Sequence, residues 1–220
     1  MQKCDMLEIL IGRLFFTVGA FDNWQVMPFL KGDANTGKGT ICDIIKHFFP
    51  LGECGVITAA FEPQFGLEGI YKKRVVIFPD LPRNFDKLLE QSQFQSMVSG
   101  EGVSISRKNK IAVSNHIWDT PMFGGGNYLP NYNDNSGSIS RRMVVFLFDV
   151  LVKNRNTQMK TEIIQNELIN IMIRCIFAYR DACETYGSVD FWKDIAPRDL
   201  KDSQNEVKEE TNFLMNFLTN

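Results

Sequence analysis

The residues with the most chemical content lie in one run, Gly32-Asp33-Ala34-Asn35-Thr36-Gly37-Lys38-Gly39-Thr40. Glycines at this spacing, followed by lysine, suit a loop whose backbone N–H groups curl around phosphates while the ammonium adds charge at the outer ones. The pattern asks for Ser or Thr directly after the lysine, where the hydroxyl holds the magnesium of a bound nucleotide. Gly39 stands there instead. Thr40 lies about 100° further round a helix, so it meets an inner phosphate, reaches the metal only after a shift in register, and leaves a water to replace the missing hydroxyl. ATP and magnesium are the expected ligands.

Other candidates follow downstream. Asp80 ends the run Val75-Val76-Ile77-Phe78-Pro79-Asp80 and is the natural protein carboxylate for a hydrated magnesium. No second acid sits directly beside it to polarise an attacking water, and Glu62, Glu68 and Glu101 are the possible substitutes. Arg107, Lys108 and Lys110 crowd one turn and suffice to follow two or three phosphates of a nucleic-acid strand, although such a cluster by itself also fits a merely solvated turn. Asn127 follows three glycines, where it either bonds a terminal phosphate or its attacking water, or simply forms a turn. Arg141 or Arg142 offers a charge to stabilise a leaving phosphate, against the alternative of a salt bridge at a strand start. His47 and His116 read as structural.

These residues need elements to hold them. Trp24 to Leu30 reads as a short buried strand with an irregularity at Pro28, and Thr40 to Phe49 has helical spacing up to Pro50. The order strand, glycine loop, helix is the context the loop requires. Val75–Phe78 is a continuous apolar run, as in a parallel strand covered on both faces, and this strand is expected beside the loop strand. Residues 84–98 resume helical spacing up to Gly100. Residues 103–106 and 111–114 alternate apolar with small or polar residues, predicting a hairpin with a cationic tip. The glycine-rich stretch from Phe123 to Ser138 reads as turns, ahead of a strand at Met143–Phe148. Helical spacing also covers residues 4–18 and 160–179, and residues 202–213 suggest a solvated helix.

Composition narrows the class. With 220 residues and 44% hydrophobic content, one principal core is expected, with helical segments at 1–23 and 154–220 flanking a unit at 24–153. A net charge of -2 gives no global attraction to nucleic acid, so any such binding must be local. The five cysteines are scattered without a CxxC pair and read as buried thiols in a reducing compartment. Nothing reaches the length of a membrane span, which predicts a soluble intracellular protein.

The succession GDANTGKGT, VVIFPD, SGEGVSISRKNK and GGGNYLPNYNDNSGSISRR resembles motifs A, B, B′ and C of the superfamily 3 helicases, particularly the poxvirus-type primase-helicases of large DNA viruses. The resemblance spans about residues 24–150. It implies an α/β P-loop NTPase of the AAA+-like kind, with a mainly parallel sheet flanked by helices. It implies an ATP-dependent DNA helicase working as a hexameric ring in viral DNA replication within the host cell, with primase and other replication proteins as partners. By the same resemblance Lys38 is the loop lysine, Asp80 the motif B acid, Lys108 the hairpin lysine on DNA, Asn127 the motif C sensor, and Arg142 the arginine finger, with Arg141 one register slip away. Gly39 and Pro79 depart from the family pattern, where Ser or Thr and often a second acid stand. Two rival readings are a nucleoside monophosphate kinase-like phosphotransferase, suggested by the GKGT ending, and a non-hydrolysing nucleotide-binding scaffold.

Overall fold

The computed structural model describes residues 2–132, 136–154 and 156–211. Its strands are β1 (Met27–Gly32), β2 (Cys54–Val56), β3 (Val75–Phe78), β4 (Gly102–Ile105), β5 (Val113–Ile117), β6 (Met122–Gly126) and β7 (Met143–Phe148). Five of them form a parallel sheet in the order β2-β3-β6-β1-β7, while β4 and β5 pair antiparallel as a separate hairpin. The helices are α1 (Lys3–Arg13), α2 (Lys38–His47), α3 (Gln91–Ser99), α4 (Met159–Glu162), α5 (Leu168–Tyr186) and α6 (Arg198–Thr211). This is the expected α/β architecture, a mainly parallel sheet flanked by helices.

The sheet is apolar on both sides because successive side chains point to opposite faces and both faces are covered. Met27, Phe29, Val76, Phe78, Met143 and Val145 enter one core with the hairpin and α3. Leu30, Val75, Ile77, Val144 and Phe146 enter the other, beneath α1, α2 and α5. That double cover explains why Val75–Phe78 is an unbroken apolar run and why its observed bounds match it. The two chain-terminal helical segments therefore pack together over one face of the same sheet.

Arg13, which interrupts the first apolar run, is buried and supplies a linchpin for this face. Its guanidinium donates to both carboxylate oxygens of Asp22, at 2.7 and 3.1 Å, and to the Val26 carbonyl at 2.9 Å. The Tyr179 hydroxyl donates to the same carboxylate at 2.5 Å. A buried charge pair is tolerated when its remaining hydrogen-bonding capacity is used in this way. The network joins α1, the approach to β1, and α5.

Three sequence expectations change. The loop strand begins at Met27 rather than Trp24, and Trp24 is instead a buried lead-in whose indole N–H donates to the Tyr186 carbonyl at 3.0 Å. Pro28 fits inside an interior strand because pairing with β6 starts only at Phe29, so the missing N–H falls before that ladder. The stretch expected as turns contains the central strand β6, which separates β3 from β1; Asp80 therefore lies two strands from the loop rather than on a neighbour. A Cβ on Gly124 would stand 2.7 Å from the Phe29 ring and 3.2 Å from the Met27 methyl, so glycine here makes room for the large side chains of β1. Part of that stretch, residues 133–135, lies outside the described residues.

Helix ends shift too. α1 stops at Arg13, and residues 14–16 continue as turns. A 3₁₀ turn at Phe85–Lys87 precedes α3, which ends where Gly100 adopts φ 73°. The helical spacing after residue 160 resolves into α4, a π-helical turn at Ile163–Glu167, and α5. Cys42 and Cys175 are buried, whereas Cys4 is exposed and Cys54 and Cys183 are partly so, which corrects the expectation that all five thiols are interior. Among the described residues no helix is long and apolar enough to cross a membrane.

Candidate active site

The loop leaves β1 at Gly32 and enters α2 at Lys38. Asn35 takes φ 67° and Gly37 φ 98°, left-handed conformations that fold the backbone N–H groups inward as an anion-binding nest. Gly37 is the N-cap and no side chain caps the helix, so its first-turn amides remain available to a ligand at the positive end of the dipole. The first turn carries no acid, and Lys46 and His47 sit in the last, the charge order that suits an anion at the start. Space lies open around Gly39, with nothing within 4 Å of a Cβ placed there.

Lys38 folds into its own loop. Its ammonium donates to the carbonyls of Gly32 at 2.6 Å and Asp33 at 2.7 Å. Burial pulls its pKa below the ordinary lysine value, while Asp80, Asp33 and the Cys42 thiol act in the opposite direction. Those carbonyls hold the ammonium against the backbone of the loop. Cys42, one turn along α2, is pushed up to about 11 by burial and is therefore no nucleophile at neutral pH.

The parallel registers assemble the rest of one edge. Phe78 and Phe29 both pair with Gly124, and Lys31 pairs with Gly126. Continuing these registers brings Asp80 level with Gly126 and Lys31, and Asn127 level with Gly32 one residue step further on, all at the carboxyl ends of β3, β6 and β1. The Leu81 N–H donates to the Gly125 carbonyl at 2.8 Å and fixes the chain just past Asp80. Asp80 and Asn127 are both exposed on this edge. Among the described residues no cluster of three or more His, Cys, Asp or Glu side chains could hold a metal, so a magnesium here would rely on Asp80, nucleotide oxygens and water.

The cleft at the loop measures about 380 Å³ and is lined by residues 35–40 together with Val152, Asn156, Thr157, Met159 and Lys160. Sequence reading missed this second wall. Its only signal is topological: β7 runs parallel to β1, so the chain leaving β7 emerges at the edge that carries the loop. The Val152 N–H donates to the Asn35 carbonyl at 3.0 Å, and Lys160 pairs with Asp43 at 3.0 Å, tying this wall to the loop and to α2.

The two arginines part company. Arg142 is buried; its Nε donates to the Ser99 hydroxyl at 3.0 Å and its Nη1 to the Ser138 carbonyl at 2.8 Å. A guanidinium committed in this way is not presented to a neighbouring molecule. Arg141 is exposed. Both precede β7, and since Met27 pairs with Met143 and Gly32 with Phe148, they lie at the sheet edge opposite the loop. Five residue steps at about 3.3 Å each put roughly 16 Å between the two levels.

Nor do the three spare carboxylates gather beside Asp80. Glu62 accepts the N–H groups of Gln64 and Phe65 within its own turn. Glu101 accepts the Ser96 hydroxyl at 3.4 Å. Glu68 lies under the hairpin tip. The hairpin forms, with its turn at Lys108 and Asn109 and with Lys108 and Lys110 exposed, but its second strand runs Val113–Ile117 rather than 111–114 and leaves Ile111 exposed outside it. His47 Nδ1 lies 2.7 Å from the Asp43 carbonyl, and His116 packs edge-on against Tyr71 and Trp118.

Residues 30–142 match a family described as a family of unknown function, DUF5906, and the matched span exceeds half of the 220 residues. The chain belongs to the DUF5906 family. The span contains the second half of β1, the whole loop, Asp80, the hairpin, Asn127 and both arginines, so this DUF5906 chain carries all of these candidates within its family region. No curated protein matches the sequence. Among solved structures, the fold is similar to the apo NrS-1 C-terminal region, with TM-score 0.58, 19% identity, and coverage of 93% of this chain and 47% of that one. It is also similar to a JCV helicase with a small organic molecule bound, with TM-score 0.51, 11% identity, and coverage of 97% of this chain and 59% of that one. At such identities the likeness concerns the fold, and this DUF5906 chain spans roughly half the length of those structures.

Proposed function

We propose that this chain binds ATP with magnesium at the Gly32–Thr40 loop and hydrolyses it to drive movement along DNA, as the motor module of a superfamily 3 helicase. One observation carries the reading: left-handed Asn35 and Gly37 turn the loop at the start of α2, which no side chain caps, on the same sheet edge as Asp80 and Asn127. Lys38 holds the outer phosphates, Thr40 meets an inner one, and Asp80 is the carboxylate that would hold a hydrated magnesium, which when bound would supply positive charge at the phosphates. Asn127 orients the attacking water. The hairpin cations follow the DNA backbone. The similarity in fold to a protein named a helicase supports the motor over the phosphotransferase.

The same reading takes the protein to be a ring of six, at work in the DNA replication of a large virus inside its host cell, with primase among its partners. Arg141 then replaces Arg142 as the finger. It lies at the edge remote from its own loop, which suits a group that acts on the nucleotide of a neighbour. The test is steady-state ATPase with and without single-stranded DNA. Stimulation by DNA supports the motor, AMP-dependent ADP formation supports the phosphotransferase, and absence of turnover with retained ATP binding supports the scaffold.

A further inference from the structure

The hairpin tip does not present three equivalent cations. Glu68 accepts the backbone N–H of Lys108 at 3.0 Å and also faces Arg107 Nε at 3.4 Å and Lys110 Nζ at 3.5 Å. These residues are separated by about forty positions in sequence, and both sides of the contact are anchored. Leu67 and Ile70 bury themselves on either side of Glu68 in the core beneath the hairpin. Ile105, at the end of β4, is fully buried in that same core. Glu68 is therefore delivered to the tip by the packing that seats the hairpin on the sheet. Asn109 takes φ 55° next to Lys108, the left-handed turn conformation that asparagine tolerates. The Lys108 ammonium itself has no ion-pair partner among the described residues.

We propose that Glu68 is a positioning residue for nucleic-acid binding: it fixes the turn through the Lys108 amide and engages Arg107 and Lys110, leaving Lys108 as the one cation of the tip offered to a backbone phosphate. This rests on the reading of the hairpin as a DNA contact and adds to it how many phosphates each tip neutralises. A carboxylate this close also repels an approaching phosphate, which restricts binding to strands that reach Lys108 from above the turn. The carboxyl is held below the ordinary glutamate value chiefly by the Lys108 N–H, with burial opposing and Arg107 and Lys110 adding to the lowering, so it is ionised at neutral pH.

The experiment measures single-stranded DNA binding at several salt concentrations for the wild type, Glu68→Gln and Lys108→Ala. Each phosphate neutralised on a single strand contributes about -0.7 to the slope of log affinity against log salt. Glu68→Gln keeps an acceptor for the Lys108 amide but frees Arg107 and Lys110, so the slope should steepen by about 1.4 for two further phosphates, with tighter binding at low salt. Between about 50 and 200 mM salt that steepening amounts to roughly a 7-fold larger loss of affinity than in the wild type. Lys108→Ala should remove about one phosphate from the wild-type slope. An unchanged slope in Glu68→Gln, with Lys108→Ala behaving as expected, overturns the role of Glu68 alone. An unchanged slope in Lys108→Ala overturns the DNA-binding hairpin and this inference with it. Hydrogen exchange of the Lys108 amide supplies a readout free of DNA: faster in Glu68→Ala, retained in Glu68→Gln, and the proposal fails if Glu68→Ala leaves it unchanged.

Discussion

Replacing Arg141 and Arg142 separately by alanine should produce two different defects. Arg142 is buried and its guanidinium makes hydrogen bonds of 3.0 Å to Ser99 and 2.8 Å to Ser138. Hydrogen bonds of charged groups contribute about 1.5–3 kcal/mol each, so losing both costs at least about 3 kcal/mol. A chain of this size loses roughly 2–4 °C in Tm per kcal/mol, so Arg142→Ala should melt about 6–12 °C below the wild type while retaining turnover where it is folded. Arg141 is exposed, and its loss should change stability by no more than about 0.5 kcal/mol. If it is the finger, Arg141→Ala keeps ATP affinity but loses about a thousandfold or more in hydrolysis. Thermal unfolding by circular dichroism, ATP binding and ATPase measure the three quantities. Mixing Arg141→Ala with Lys38→Ala should restore partial turnover, because some interfaces then pair an intact loop with an intact finger. An Arg142→Ala protein that melts with the wild type yet hydrolyses nothing, beside an active Arg141→Ala, would falsify this assignment and return the finger to Arg142.

Lys38→Ala should abolish ATP binding or turnover while the protein keeps its circular dichroism spectrum, since the ammonium is the one positive charge of the loop; normal ATPase would rule the loop out as the catalytic site. Gly39→Ser should fold normally, because a Cβ there meets nothing within 4 Å, and should bind magnesium with ATP more tightly. Collapse of its turnover would mean that the backbone at Gly39 must approach the ligand more closely than a side chain allows. Gly124→Ala should lower stability by about 1–3 kcal/mol, as its methyl would enter at 2.7 Å from the fully buried Phe29 ring, and denaturant unfolding at the wild-type midpoint would contradict that packing.

The elements that sequence alone defined are those whose information is local. Gly32, Gly37 and Lys38 specify a loop because backbone conformation and charge at adjacent positions do the binding. Val75–Phe78 is legible because a strand covered on both faces must be apolar at every residue. The first hairpin strand is legible from its alternation, which needs only one buried face, whereas β5 buries no residue fully and lies at Val113–Ile117 rather than 111–114. What tertiary structure decided depends on residues far apart in the chain. Met122–Gly126 is a central strand although its glycines carry no side-chain period, because Phe29 and Met27 of β1 occupy the space those side chains would need. The choice between Arg141 and Arg142 turns on Ser99 and Ser138, which only the packing of α3 against the approach to β7 brings to the guanidinium. Glu68 meets the hairpin, and Val152, Asn156, Thr157, Met159 and Lys160 meet the loop, through the order in which strands lie in the sheet. Strand order leaves no local trace in sequence, since any of these strands is apolar enough to sit beside any other.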